Sequence, residues 1–218
     1  METSHLATWA VIALSVVLVL WYFVGRQLNR GRGEKLLRWV REGLPVLGEE
    51  SSVRWLGHSG FQVQVEGTKP PFRRLGLTIL LEPREMLLLW LFNRLRGRRD
   101  ILVLRGNLRS RPKAELELVK ARSRLGRRIL SELRDKGWVR EEWEAGLVLA
   151  QRGKETAHMI EALAPLLTAY ASHVVRLSVR KQTPHFLADF SLAGLEREKA
   201  EEIFDGLKRI AAAASTSP

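Results

Sequence analysis

An uncharged apolar run from Leu6 to Val24 constrains this chain more than any other feature of its sequence. The run has nineteen residues, and its only polar side chains are those of Thr8 and Ser15. As a helix it would reach about 28 Å, close to the roughly 30 Å of a bilayer's hydrocarbon core. A soluble core helix would carry a polar stripe, and this run carries none. The run therefore predicts a single transmembrane helix.

The residues that flank this run indicate how it would sit in a membrane. Aromatic residues lie near both ends, and arginines follow the run but do not precede it. The positive-inside bias places the N-terminus outside the cell membrane and everything after the run in the cytoplasm. A cleaved signal peptide is disfavoured, because no positively charged side chain precedes the run and no small-x-small site follows it. The predicted membrane-interface residues are Trp9, Trp21, Tyr22, Arg26, Arg30 and Arg32.

The rest of the chain divides into a connector and a folded domain. Gly31 and Gly33 interrupt the basic stretch after the apolar run, and apolar residues then recur at helical spacing from Glu34 to Leu44. Pro45 and a polar stretch end this short helix. We predict a transmembrane anchor at residues 1–25, a basic juxtamembrane connector at 26–50, a domain at 51–211 and a disordered tail at 212–218.

The domain has the pattern of an α+β fold. Strict alternation of apolar and polar residues from Phe61 to Val65 is typical of a half-buried strand, and apolar residues at helical spacing predict helices between the strands. We expect an antiparallel sheet covered by helices on one face. Strands are predicted at 53–56, 61–65, 75–81, 101–104, 114–119, 147–150, 173–179 and 186–190, and helices at 82–95, 122–136, 154–170 and 195–211.

The predicted elements follow the order strand–helix–strand–strand–helix twice, at an offset of about 71 residues. The two units would be residues 73–137 and 143–211. Pro112 and Pro184 occupy matching positions, but other identity is slight. Duplication of an ancestral unit is one explanation, and the ordinary rules of α+β folds are the other.

Positive charge is concentrated in the middle of the chain. The formal net charge is +12, and residues 51–140 carry twenty-one Lys and Arg against eight Asp and Glu. A GC-rich genome or a heat-adapted host explains an excess of arginine, but not why it stops near Arg140. Arginines at the start of a helix oppose the helix dipole, and tolerating them indicates an anionic partner. The predicted anion-binding residues are Arg94, Arg96, Arg98, Arg99, Arg105, Arg109, Arg111, Arg122, Arg124, Arg127 and Arg128.

An apolar segment from Met86 to Phe92 directly precedes an arginine-rich run, Asn93 to Arg99. Its seven residues are too few to span a bilayer. We predict a buried core helix that ends in a solvated basic cap, because cations suit the C-terminal end of the helix dipole. The alternative is a helix on the membrane surface, with its apolar face among the headgroups and its arginines on anionic lipid.

Residue types suited to catalysis or metal binding form no recognisable motif. No two of the five histidines lie closer than twelve residues, whereas metal sites commonly take two ligands from one short motif. Glu141, Glu142 and Glu144 are predicted to form a solvated turn. We therefore predict no metal site, no cofactor and no catalytic residue.

These features favour a non-enzymatic, membrane-anchored binding or scaffolding protein, with a basic face for anionic lipid headgroups or an acidic protein. The first alternative is a membrane-tethered protein that binds nucleic acid without sequence preference. Such binding would be directed at the backbone, because residues 100–137 contain no aromatic side chain on which bases could stack. The second alternative is an enzyme whose site is assembled from scattered residues such as His58, His185 and Asp189.

Overall fold

The computed structural model describes residues 2–134, 137–153 and 156–215. Its helices are α1 Glu2–Leu47, α2 Leu87–Leu95, α3 Arg124–Glu132, α4 Ala157–Tyr170 and α5 Ala200–Ser215. Its strands are β1 Glu50–Trp55, β2 Gly60–Glu66, β3 Phe72–Leu80, β4 Ile101–Leu108, β5 Glu115–Lys120, β6 Val139–Trp143, β7 Leu147–Arg152, β8 Val174–Val179 and β9 Phe186–Ser191. Over the described residues, the nine strands form one antiparallel sheet in the order β1-β2-β3-β4-β9-β8-β5-β7-β6. The predicted α+β fold is confirmed.

One face of the sheet is apolar and forms the core with three helices. Inward and outward residues alternate along each strand, as in β2, where Phe61, Val63 and Val65 are buried. Helices α1, α4 and α5 cover this face. Helix α3 lies on the opposite face, where Ile129 belongs to a smaller apolar cluster with Val119. The prediction that the helices cover one face of the sheet is therefore correct for α1, α4 and α5, but wrong for α3.

Helix α1 runs without a break from the apolar run into the core. The interruption predicted at Gly31 and Gly33 is absent. A glycine inside a helix costs only about 1 kcal/mol relative to alanine, and burial of the residues that follow offsets this. At Gly33 an added Cβ would lie 2.9 Å from the ring of Trp55, so the glycine permits a close approach. The segment predicted as a connector is a core helix of the domain, with these side chains buried: Leu36, Trp39, Val40, Leu44 and Leu47.

The first half of α1 is long and apolar enough to cross a membrane, and none of that stretch is buried within the protein. Its exposed side chains include those of Leu6, Leu14, Leu20 and Phe23. This part of α1 is therefore a candidate membrane span.

Helix α2 is not the buried core helix that we predict from its composition. Among the residues of α2, only Asn93 is buried, and Leu88 and Leu95 are 71% and 79% exposed. The helix lies against α1, where the rings of Trp21 and Trp90 are 5.6 Å apart between centroids. The apolar face of the sheet is already covered by α1, α4 and α5, which leaves α2 outside the core.

The acidic residues predicted as a solvated turn instead belong to a strand that the prediction omits. Glu141 and Glu142 lie in β6, which pairs with β7 at one edge of the sheet, and Glu144 begins the turn that follows. Charged side chains are typical of an edge strand, because they discourage pairing with another chain.

The C-terminal segment also differs from its prediction. Helix α5 continues to Ser215 and buries Ala211 and Ala214, so most of the tail predicted at 212–218 is helical. The hydroxyl of Ser110 donates to the carbonyl of Ser215 over 3.1 Å, which fixes the end of the helix. Residues 216–218 lie outside the described part of the chain.

The two predicted repeat units correspond to β3-α2-β4-β5-α3 and β7-α4-β8-β9-α5. Their strands pair differently. In the first unit β3 and β4 are neighbours, and β9 and β8 lie between β4 and β5. In the second unit β8 and β9 are neighbours, and β5 lies between β7 and β8. The element order is as expected, and descent by duplication stays a prediction.

The sheet has two ends with different connections. We name the end at which α1 reaches the domain the entry end, where the indole nitrogen of Trp21 donates to the carbonyl of Arg84 over 2.8 Å. The β1–β2 turn, the end of β3, the start of β4 and the end of β5 all lie at this end. Helix α1 finishes at the opposite, far end, where the N–H of Lys69 donates to the carbonyl of Leu47 over 2.8 Å.

Candidate functional site

Eight of the eleven predicted anion-binding arginines lie at the entry end of the sheet. Four occupy the end of α2 and the loop before β4, and four occupy the loop after β5 and the first turns of α3. Strands β9 and β8 separate β4 from β5, so the two groups stand about 14 Å apart along the sheet. The first group is Arg94, Arg96, Arg98 and Arg99, and the second is Arg122, Arg124, Arg127 and Arg128.

The other three predicted arginines lie elsewhere. Arg105 is exposed in the middle of β4, on the face opposite the core. Arg109 and Arg111 lie at the far end, where each donates to backbone: Arg109 to the carbonyl of Phe72 over 3.2 Å, and Arg111 to that of Lys181 over 3.1 Å. The predicted set therefore does not form a single surface.

The arginines at the start of α3 are available to an external anion. Arg122, Arg124 and Arg127 are exposed, and none has a carboxylate within ion-pair distance in the part of the chain that the structure describes. The hydroxyl of Ser123 caps the helix by accepting a 2.8 Å hydrogen bond from the N–H of Gly126. This cap compensates in part for placing cations at the positive end of the helix dipole.

Large apolar side chains are exposed at the same end of the sheet. They come from the tip of β1 and from α2, which lies beside Trp21 of α1. Exposed apolar side chains grouped at one end of a domain are typical of surfaces that contact a membrane or another protein. We name these residues the entry-end patch: Trp55, Leu56, Met86, Leu88, Leu89, Leu91, Phe92 and Leu95.

The aromatic residues predicted at the membrane interface bracket the exposed part of α1. Trp9 and Tyr22 are exposed. Trp21 is half-buried, since it stacks against Trp90 and donates to the backbone of Arg84. Trp21 therefore joins the candidate span to α2.

The three arginines predicted at the interface have different surroundings. Arg26 is exposed, and Arg30 is exposed but forms an ion pair with Glu34 over 3.1 Å. Arg32 is mostly buried and binds Asp100 and Glu196. Arg32 thus makes intramolecular contacts instead of facing headgroups.

Arg32 belongs to a buried polar cluster that attaches α1 to the domain. Both oxygens of Asp100 accept hydrogen bonds: Oδ1 from the N–H of Glu82 over 2.8 Å and from Arg84 over 3.0 Å, and Oδ2 from Arg32 and Arg84 over 3.0 Å each. Asn29 of α1 donates to the carbonyl of Glu82 over 3.0 Å. We name the cluster the entry-end clamp: Asn29, Arg32, Glu82, Arg84, Asp100 and Glu196.

The charges of the clamp stabilise one another. Burial raises the pKa of Asp100, but hydrogen bonds from Arg84, Glu82 and Arg32 outweigh it, so the pKa lies below its usual value. Burial also raises the pKa of Glu196, but the hydrogen bond from Arg32, a backbone hydrogen bond and the charges of Arg32 and Lys35 together lower it below its usual value. Asp100 and Glu196 are therefore ionised at neutral pH, and their ion pairs with Arg32 fix α1 against the segments that flank β4 and β9.

The residues of the enzyme alternative do not meet in one site. His58 lines a cleft of about 650 Å³ between α1 and the β1–β2 turn, together with Arg26 and Trp55. Asp189 lies in β9, which is separated from β2 by β3 and β4. Asp189 is therefore about 14 Å from β2 across the sheet. The ring of His185 accepts a 3.2 Å hydrogen bond from the N–H of Leu108. Over the described residues, no cluster of three or more His, Cys, Asp or Glu could hold a metal ion.

A second charged cluster lies on the sheet face opposite the core, and it is missing from the predicted set. Glu117 of β5 is fully buried and accepts hydrogen bonds from Arg176, Ser178 and Arg180. The sequence carries a signal for it, because these three partners occupy every second position along β8 and its extension, as residues on one strand face do. Glu117 lies in the part of β5 that is buried, from Leu116 to Val119, where a charged side chain needs partners.

The chain matches no protein-family model, and no curated protein matches its sequence. Its function therefore has to be inferred from the arrangement of its own residues.

Proposed function

We propose that this chain is a single-pass membrane-anchored binding protein whose cytoplasmic domain rests with its entry end on anionic lipid headgroups. The observation that carries the proposal is the exposed apolar face of α2 beside Trp21, at the end of the candidate span. An amphipathic helix at this level inserts its apolar face into the boundary between headgroups and acyl chains. The entry-end arginines that have no carboxylate partner among the described residues, including Arg122, Arg124 and Arg127, would then face lipid phosphates.

The charge and the attachment of α1 support the same orientation. The clamp and the continuous helix join the sheet to the candidate span at the entry end, which supports an orientation with that end toward the bilayer. Each arginine near an anionic surface contributes about 1 kcal/mol to binding. The positive-inside bias places this end in the cytoplasm.

The first test measures whether α2 enters the bilayer. The chain has no cysteine, so single cysteines can carry a fluorescent label without background. Leu88→Cys and Val139→Cys place the label at sites that are 71% and 64% exposed, at the entry end and on the edge strand β6. In liposomes that contain the full chain and lipids with a quencher on the acyl chain, we expect strong quenching at residue 88 and little at 139. Equal quenching at both sites contradicts the proposal.

The second test measures whether the arginines approach anionic headgroups. A label on Leu125→Cys, in the first turn of α3, is expected to be quenched by headgroup-attached quenchers in anionic liposomes and much less in neutral ones. Arg124→Glu with Arg127→Glu should reduce the anionic signal to the neutral level, because reversing the charge replaces attraction by repulsion.

The matched control for this test reverses two adjacent, exposed arginines at the far end, Arg73→Glu with Arg74→Glu. It should leave the quenching unchanged, since these residues face away from the bilayer. An equal loss of quenching in the two double variants contradicts a specific contact between the α3 arginines and the headgroups. If added duplex DNA abolishes the quenching of the label at residue 125 in anionic liposomes, the nucleic-acid alternative is favoured instead.

A further inference from the structure

A cleft of about 650 Å³ opens at the far end of the sheet, on the face opposite the core. Its floor is β8, one wall is the end of α3 with Trp138, and the other wall is the loop before β9, which contains Pro184. This volume is typical of a site for a small molecule. The cleft lies away from the entry end, so it stays open when that end rests on a membrane.

The cleft has an excess of positive charge. Its cationic lining residues are Arg111, Arg152, Arg176, Arg180 and Lys181. Four carboxylates oppose these five cations: Glu115 and Glu132 line the cleft, Glu117 lies in the strand on one side of β8, and Asp189 lies opposite Arg176 in the strand on the other side. Glu132 also forms an ion pair with Arg128 over 3.0 Å, which further reduces its effect within the cleft.

Two of these arginines are held in place before any ligand binds. Oε2 of Glu117 accepts from Nε and Nη2 of Arg180 over 3.0 and 2.7 Å, and its Oε1 accepts from Nε of Arg176. The guanidinium of Arg180 also lies over the ring of Trp138, 4.7 Å from its centroid. Glu117 accepts hydrogen bonds from both guanidinium groups, whereas Asp189 interacts with Arg176 electrostatically only, so the two arginines are oriented by one carboxylate.

The two arginines keep donors for a ligand. Their side chains are 24% and 29% exposed, whereas that of Glu117 is fully buried. The contact of Arg176 with Glu117 uses Nε, so its terminal N–H groups are not needed for that pair. A buried charged cluster contributes little net stability compared with apolar residues of the same size, so its position in a cleft points to binding.

We propose that this cleft binds a small molecule that carries phosphate groups. The planar arginine fork matches the geometry of phosphate oxygens and can bind two of them at once. Trp138, Leu133 and Leu187 supply apolar surface for the rest of the ligand. The inference does not depend on the orientation of the protein at a membrane.

Calorimetry on the full chain in neutral-lipid nanodiscs tests the proposal, with pyrophosphate as the probe and citrate as a carboxylate of similar charge. We expect pyrophosphate to bind more tightly than citrate at low ionic strength. Arg152→Gln removes an exposed cation of the cleft and should weaken pyrophosphate binding roughly tenfold, the effect of one charge-assisted hydrogen bond. Arg54→Gln is the matched control, because Arg54 is an exposed arginine in the distant edge strand β1.

The possible outcomes distinguish binding in the cleft from nonspecific attraction of anions to a positively charged protein. Loss of affinity in Arg152→Gln with an unchanged Arg54→Gln supports the cleft. Equal loss in both variants, citrate binding as tight as that of pyrophosphate, or no pyrophosphate binding overturns the proposal. Arg176→Gln, examined by circular dichroism for retained fold, should also lose pyrophosphate binding, and retained affinity in the folded variant counts against the site.

Discussion

Replacing Asp100 with alanine should lower the free energy of unfolding by about 3–5 kcal/mol, because it leaves two arginines of the clamp without their carboxylate. The Asp100 side chain is only 4% exposed and accepts four hydrogen bonds, from Arg32, Arg84 and the N–H of Glu82. Denaturant unfolding of the full chain in detergent measures the loss. Asp100→Asn retains one acceptor oxygen and should fall between alanine and the natural residue.

The matched control is Asp205→Ala, which also removes a carboxylate from an aspartate–arginine pair. Asp205 and Arg209 are exposed and lie four residues apart on α5, and such pairs contribute about 0.3–0.5 kcal/mol. A loss at Asp100 no larger than that at Asp205 would show that the clamp does not hold α1. Because the pKa of Asp100 lies below its usual value, its stabilisation is present at neutral pH and is lost as the pH falls through the folded-state pKa.

Asp189→Asn should have the opposite effect and raise the free energy of unfolding by about 2–3 kcal/mol at pH 7. Burial raises the pKa of Asp189 to about 6, although Arg176 and Arg105 partly oppose the shift. Between pH 4 and that value the folded chain binds a proton that the unfolded chain releases. Stability therefore falls as the pH rises through this range, and the asparagine variant avoids the loss.

Unfolding curves at pH 4 and pH 7 test this prediction. The gain from Asp189→Asn should be large at pH 7 and small at pH 4, because pH 4 lies well below the folded-state pKa of about 6 and close to the pKa of an unfolded aspartate. Asp205→Asn, which removes an exposed carboxylate, should show no such difference. A gain of equal size at both pH values would mean that packing, and not ionisation, separates asparagine from aspartate at position 189.

Local patterns predicted eight of the nine described strands and the candidate span, but they missed β6 and wrongly predicted that α2 is buried. The alternation from Phe61 to Val65 fixes which residues are buried whatever the neighbouring strand is. The segment from Met86 to Phe92 has the composition of a core helix, and its exposure follows only because three other helices fill the apolar face of the sheet. Burial of a short apolar segment depends on tertiary competition, which periodicity does not contain.

The candidate site was predictable in its residue types and not in its arrangement. Arg94 and Arg124 belong to separate basic runs, and only the strand order places both runs at the entry end. Glu117 and its partner Arg180 are 63 residues apart in the chain, so no local motif joins them. Charge and spacing therefore identified candidate anion-binding side chains, whereas strand order and register decided which of them lie at the same end of the sheet.

Because α1 is continuous, any change in the tilt of its apolar half also changes the direction of the sheet. Val24 and Leu47 are about 35 Å apart along the helix axis. Spans adapt to thinner or thicker bilayers by tilting, and a change of about 10° would move Leu47 by about 6 Å. The cleft at the far end of the sheet would move together with Leu47. Lipid composition would then set the angle at which the far end of the sheet stands relative to the bilayer surface.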